Sequence, residues 1–187
     1  MLDNRLVVER AGTPGAPGLV LLGSLDEPRG RGARVGLRLV GDFAAGARAA
    51  TDAGVDLLEL DVADQPRATL QAFDAARAVW PMARPIAVRI TAGGDADATI
   101  ELARVLAARG CDLVSLAAGH DPMAGLGAIS LSDRIRHEAG IPTLVGAELD
   151  TRPDINSVLA AGRADLCVIW PSRAPSLASA MQQPLWS

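Results

Sequence analysis

Short aliphatic runs exchange regularly with longer amphipathic stretches along this chain, and that exchange leaves few folds open. Segments 55–61, 85–90, 111–116, 141–146 and 164–169 read as strands. Between and around them, 42–52, 67–79, 95–109, 130–139 and 152–161 carry apolar residues at three- and four-residue spacing, the helical period. Gly54, Gly110 and Gly140 stand just past three of these helices, where a left-handed residue ends the last turn without steric cost. Strand–helix alternation with short connections predicts an α/β fold with a parallel sheet.

The first third is more compressed. Segments 2–8, 17–23 and 35–40 read as strands, but 9–16 and 24–33 are rich in Gly, Pro and Arg and too short for full helices. The sum is eight strands with helices only after the third. We therefore expect a shortened TIM-type (β/α)8 barrel lacking its first outer helices. It forms one domain over 1–187, with compressed strands in 1–41 and regular β/α units in 42–187. The usual barrel has ~250 residues. An open doubly wound sheet is the alternative; no G-x-G-x-x-G follows any strand, which counts against its dinucleotide-binding form.

Alternation within strands points the same way. Leu37, Leu39, Leu58, Leu60, Val88 and Ile90 form one set, suited to a helix layer. Gly36, Arg38, Glu59, Asp61, Ala87 and Arg89 form the other, facing the barrel axis. Four charges directed at one axis must pair or meet a polar ligand, because burying them alone costs several kcal/mol each. Either an internal ion network or a pocket at the C-terminal ends of the strands satisfies them.

Composition removes several function classes. All 18 basic residues are Arg, so neither a Schiff-base lysine nor a P-loop lysine exists. A net charge of −4 from 22 acidic residues argues against a general nucleic-acid binder, and three Trp, two Phe and no Tyr make a poor base-stacking platform. Cys111 and Cys167 are too few for a disulfide scaffold or zinc cluster, so no metal centre is expected. The N-terminus lacks the basic-then-apolar order of a signal peptide, and the apolar stretch 19–22 falls far short of the ~20 residues a membrane helix needs. A cytoplasmic location with no nucleic acid or membrane partner is the expectation.

Several stretches resemble the old yellow enzyme family of FMN-dependent oxidoreductases. They are Asp42-Phe43-Ala44-Ala45 with Ala53-Gly54-Val55-Asp56, Ala78-Val79-Trp80-Pro81, Val88-Arg89-Ile90-Thr91, Ile135-Arg136 through Gly140-Ile141-Pro142-Thr143, and Ala160-Ala161-Gly162-Arg163-Ala164-Asp165-Leu166-Cys167. The pattern is most similar to the reductase-like C-terminal domain of aryl-CoA monooxygenases such as salicylyl-CoA 5-hydroxylase. The resemblance implies an eight-stranded β/α barrel, FMN, and hydride supplied by NAD(P)H. It assigns Arg89 to the flavin ring, Gly146 to the neighbourhood of the flavin phosphate, and Asp61 and Asp64 to the positions of the pair that holds a substrate carbonyl.

Departures from the family pattern fall on chemistry. That pair should donate hydrogen bonds, whereas a carboxylate only accepts them and repels a developing enolate oxygen. The first strand ends Val8-Glu9-Arg10 instead of Pro-Met, and Arg38 stands where a Gln meets the flavin edge. The eighth strand ends in Trp170-Pro171 instead of the phosphate-binding Gly-Arg, leaving Arg173 as its substitute. His120, after the sixth strand, is a candidate acid or base. Asp61 and Asp64, with Glu59 and Glu148, could also be read as a carboxylate cluster. His137 reads as a surface residue, and the two cysteines as small buried side chains.

Three functions follow as expectations. The first is a divergent barrel degenerate in flavin chemistry, a scaffold or docking domain associated with an aryl-CoA flavin monooxygenase. Its missing helices would leave strands for a partner domain or second copy to cover. The second is an active oxidoreductase passing hydride from NAD(P)H through FMN to an activated alkene or dearomatised aryl-CoA thioester. In both, Asp61, Asp64 and His120 occupy catalytic positions, and Arg38, Arg89, Gly146 and Arg173 the cofactor positions. The third is an isomerase or lyase using Asp61 and His120.

Overall fold

The computed structural model describes residues 6–10, 19–26, 34–62, 65–118, 124–146 and 152–169. Asp64, His120, Arg173, Glu148 and Trp170-Pro171 lie outside the described residues.

Eight strands close into a barrel: β1 (Leu6–Arg10), β2 (Leu19–Leu22), β3 (Arg34–Leu39), β4 (Leu57–Asp61), β5 (Ile86–Thr91), β6 (Leu113–Ala117), β7 (Thr143–Gly146) and β8 (Leu166–Ile169). Among the described residues five helices follow β3 to β7, one each: α1 (Phe43–Asp52), α2 (Pro66–Arg77), α3 (Ala96–Ala108), α4 (Ala124–Glu138) and α5 (Arg152–Ala160). Among the described residues no helix precedes Phe43. This is the shortened α/β barrel expected from the sequence.

One strand departs from expectation. β2 through β8 are parallel, but β1 runs antiparallel to both β2 and β8 and closes the ring between them. A parallel step needs a crossover of a dozen or more residues, usually a helix, and only positions 11–18 separate β1 from β2. That span suits an antiparallel return.

Helix ends follow the local chemistry. Asp42 caps α1 by accepting from the Ala45 N–H, and Asp95 caps α3 by accepting from Asp97 and Ala98. Pro66 opens α2 at a position whose N–H is not needed. α4 starts at Ala124, well before 130, because the poor helix formers Gly125 and Gly127 obscure its first turns while Ala128 and Ile129 bury and hold them.

The two side-chain sets separate as predicted. Leu37, Leu58, Leu60, Val88 and Leu116 pack outward against Ala47, Phe73, Ala76, Ile100, Ala103 and Ile135 of the helices. Leu21, Ala87, Leu113, Leu144 and Val168 form a separate apolar plug on the barrel axis. Gly36 lets the plug pack closely on that inner face: a Cβ there would come 2.8 Å from Leu21 Cδ1, and the leucine would have to shift to admit it. Leu22 is also buried in the outer core.

At the N-terminal end of the strands one device recurs. Asp56, Asp112 and Asp165, just before β4, β6 and β8, accept from the backbone N–H of Val35, Ile86 and Thr143 on the preceding strand at 2.8, 2.9 and 2.9 Å. Each also donates its own N–H to that residue's carbonyl. Arg136 clamps Asp165 through Nε and Nη2 at 2.8 and 3.0 Å. These clasps fix strand register on the face of a barrel that serves stability.

Candidate functional site at the barrel mouth

Above the apolar plug, the inner face turns polar toward the C-terminal ends of β3 to β6. The ladder sets Arg38 opposite Glu59, Asp61 opposite Arg89, and Arg89 opposite Ser115. Strand alternation faces all five into the barrel, since their neighbours Leu37, Leu58, Leu60, Val88 and Leu116 belong to the outer core.

The four charges pair across strands. Arg38 Nε donates to Glu59 Oε2. Arg89 Nη1 donates to both oxygens of Asp61, at 3.0 Å each. The Arg89–Asp61 pair keeps contact with solvent, its side chains 25% and 27% exposed, whereas the Glu59 side chain is 1% exposed. Glu59 Oε1 is buried and has no hydrogen-bond partner among the described residues.

Arg38, Asp61 and Arg89 are thus brought together with Glu59. Gly146 ends β7 opposite Ala117, and a Cβ there would meet nothing closer than the Leu116 carbonyl at 3.5 Å. No crowding therefore demands glycine at that place. Both cysteines are buried, and burial pushes the Cys111 thiol up to about 11. His137 is exposed on α4, its Nδ1 2.8 Å from the Asp133 carbonyl oxygen. Among the described residues no three His, Cys, Asp or Glu side chains converge to hold a metal ion.

Sequence patterns did not reveal a cleft of about 260 Å³ between the start of α2, the end of β5 and the start of α3. Val62, Pro66, Ile90, Ala98 and Leu102 make it apolar; Gln65, Arg89, Thr91 and Asp95 supply polar margins. Its residues come from three elements, so no local motif marks it. Ser115 was missed as well; its only signal is that it shares the inward phase of Leu113 and Ala117.

Both arginines that the resemblance assigns to the flavin are held by carboxylates, and Asp61, which it assigns to the substrate-holding pair, offers only acceptors when ionised.

No protein-family model matches the chain, and no curated protein matches it. Solved structures do. A mandelate oxidase variant carrying an FMN monooxide adduct aligns with a TM-score of 0.60 at 20% identity, over 81% of this chain and 54% of that one. A mandelate racemase/muconate lactonizing family protein from Azoarcus sp. EbN1 gives 0.58 at 17% identity, over 71% of this chain and 35% of that one. The carboxyl transferase domain of Rhizobium etli pyruvate carboxylase, in its Y628A form with pyruvate, gives 0.53 at 18% identity, over 71% and 26%. This chain therefore spans only a quarter to about half of the structures it matches. Its fold is that of the TIM-barrel enzymes, in a shortened form. Among the described residues no helix is long and apolar enough to cross a membrane.

Proposed function

We propose that this chain is a divergent barrel of old yellow enzyme type whose flavin-handling positions have become an internal ion network. It serves as a scaffold or docking domain associated with an aryl-CoA flavin monooxygenase. One observation carries this reading: Arg89, the residue matched to the flavin ring, spends Nη1 on both oxygens of Asp61, the residue matched to the substrate-holding pair. Arg38 is likewise committed to Glu59. The two arginines and two carboxylates of this network cancel one another, so the network itself offers no net positive charge to a phosphate-bearing cofactor. The aryl-CoA association rests on the sequence stretches named above. A partner domain or second copy covering the N-terminal strands belongs to the same reading.

The rival reading keeps FMN and NAD(P)H and transfers hydride to an activated alkene or dearomatised thioester. The FMN adduct in the similar mandelate oxidase favours it, as does retention of Arg89 and Gly146. Purified full-length chain decides between them. A colourless protein that takes up no FMN on titration, and that co-elutes with an aryl-CoA flavin monooxygenase on size exclusion, supports the docking reading. One flavin per chain, reduced by NADH or NADPH, overturns it. Asp61→His restores a donor at the family position; flavin binding gained by that single change would identify the Asp61–Arg89 pair as what displaced the cofactor.

A further inference from the structure

The cleft between the start of α2, the end of β5 and the start of α3 is room that the ion network does not use. Its volume of about 260 Å³ falls just under the range of about 300–1,000 Å³ typical of drug-sized ligands, so it suits a molecule of a single ring. Val62, Pro66, Ile90, Ala98 and Leu102 give it aliphatic walls, against which such a ring would leave water. A Cβ built at Gly94, on the same lining, would meet nothing within 4 Å, so a molecule has space to enter there. Much of the polar lining is already engaged. The Thr69 and Thr99 hydroxyls donate to the Gln65 and Asp95 carbonyls, and Asp95 Oδ1 accepts from the Asp97 and Ala98 N–H groups. Arg89 keeps donors to give. Its Nη1 serves both oxygens of Asp61, which leaves the N–H groups of Nε and Nη2 on a side chain that is 25% exposed.

Charge selects the kind of acceptor. Asp61 already lies against Arg89, and Asp95 stands on the margin of the cleft. A carboxylate arriving there would be a third negative charge around one cation, and an ammonium would meet the guanidinium's own charge. A neutral carbonyl oxygen accepts from Arg89 and adds no charge. We propose that this cleft binds a small neutral one-ring compound carrying a carbonyl group, with the ring against the aliphatic walls between α2 and α3 and the oxygen on the remaining donors of Arg89. The site does not depend on docking to a monooxygenase, because it uses a cleft of the helix layer and donors that the Asp61 pair leaves over.

The test is NMR titration of the full chain with benzamide, with benzoate and with benzylamine, read at the backbone amides and at the Arg89 Nε–H. Benzamide should give saturable shifts at about millimolar concentration, confined to Val62, Gln65, Ile90 and the first two turns of α3, and should move the Arg89 Nε–H. The two charged analogues should bind about tenfold more weakly or not at all. Ala98→Trp fills the cleft from an exposed position of α3; it should weaken benzamide binding about tenfold or more while the melting temperature stays near wild type. Should that variant not fold, Arg89→Lys decides: it keeps a cation beside Asp61 but removes the spare guanidinium donors, and should weaken benzamide binding several-fold. The proposal is overturned if benzamide gives no saturable shifts or maps elsewhere, if benzoate or benzylamine binds as tightly, or if the folded variants bind benzamide as well as wild type.

Discussion

At the scale of single residues, the barrel mouth is governed by who holds each arginine. The Arg89–Asp61 pair is about three-quarters buried, with one guanidinium nitrogen shared between two oxygens. Such a pair couples more strongly than a surface pair but less than a sealed one. A double-mutant cycle with Asp61→Asn and Arg89→Met, followed by urea unfolding, should give a coupling of about 1–2 kcal/mol. The exposed Arg134–Glu138 pair on α4 should give a clearly smaller coupling by the same measurement. Equal couplings would mean that the mouth pair is no better shielded than the surface.

Cys111 offers a second residue-scale test. Burial raises its thiol from 9.0 to about 11, with the Asp112 carboxylate adding to the effect. Between those values the unfolded chain has released the proton and the folded chain still holds it, so unfolding gains from rising pH. The contribution is complete below about 9 and is lost as pH climbs through about 11. Cys111→Ala should flatten the alkaline limb of a stability–pH curve measured by urea unfolding. The same burial should leave native Cys111 unlabelled by iodoacetamide near neutral pH; rapid labelling would show that the thiol is reachable.

At the scale of elements, the clasps before β4, β6 and β8 do what turn residues alone cannot. Each aspartate sits at the start of its own strand and ties a backbone N–H of the preceding one, so that two strands are fixed by one side chain. Asp112→Ala leaves the Ile86 N–H without its acceptor, a loss of about 1–2 kcal/mol by urea unfolding. Asp74→Ala removes only an exposed ion pair with Arg109 and should cost less than about 1 kcal/mol. If the two variants lose the same stability, the clasp contributes no more than a surface charge.

At the scale of the whole molecule, closure depends on the short strand that runs the other way. β1 hydrogen-bonds to both β2 and β8, and without it those two strands become open edges. Deleting residues 6–10 should convert a closed ring into a sheet with two unpaired edges, read as concentration-dependent self-association in light scattering. A monodisperse truncated chain would show that closure at β1 is dispensable. The five helices cover the outer faces from β3 onward, and the outer core is correspondingly continuous there.

Local pattern alone determined the strands, the helices and the two faces of each strand. Leu58 and Leu60 against Glu59 and Asp61 is a period-two signal written in adjacent residues, and the barrel interior follows from it. α4 shows the limit of such signals, since Gly125 and Gly127 hid turns that only packing of Ala128 and Ile129 sustains. Tertiary structure alone decided the direction of β1, because that depends on how a closing ring accommodates a connection too short for a crossover. It also decided the partners in the mouth. Arg38 and Glu59 are 21 positions apart, Arg89 and Asp61 28, and Ile86 and Asp112 26. No sequence period spans those separations; ring closure brings the groups together.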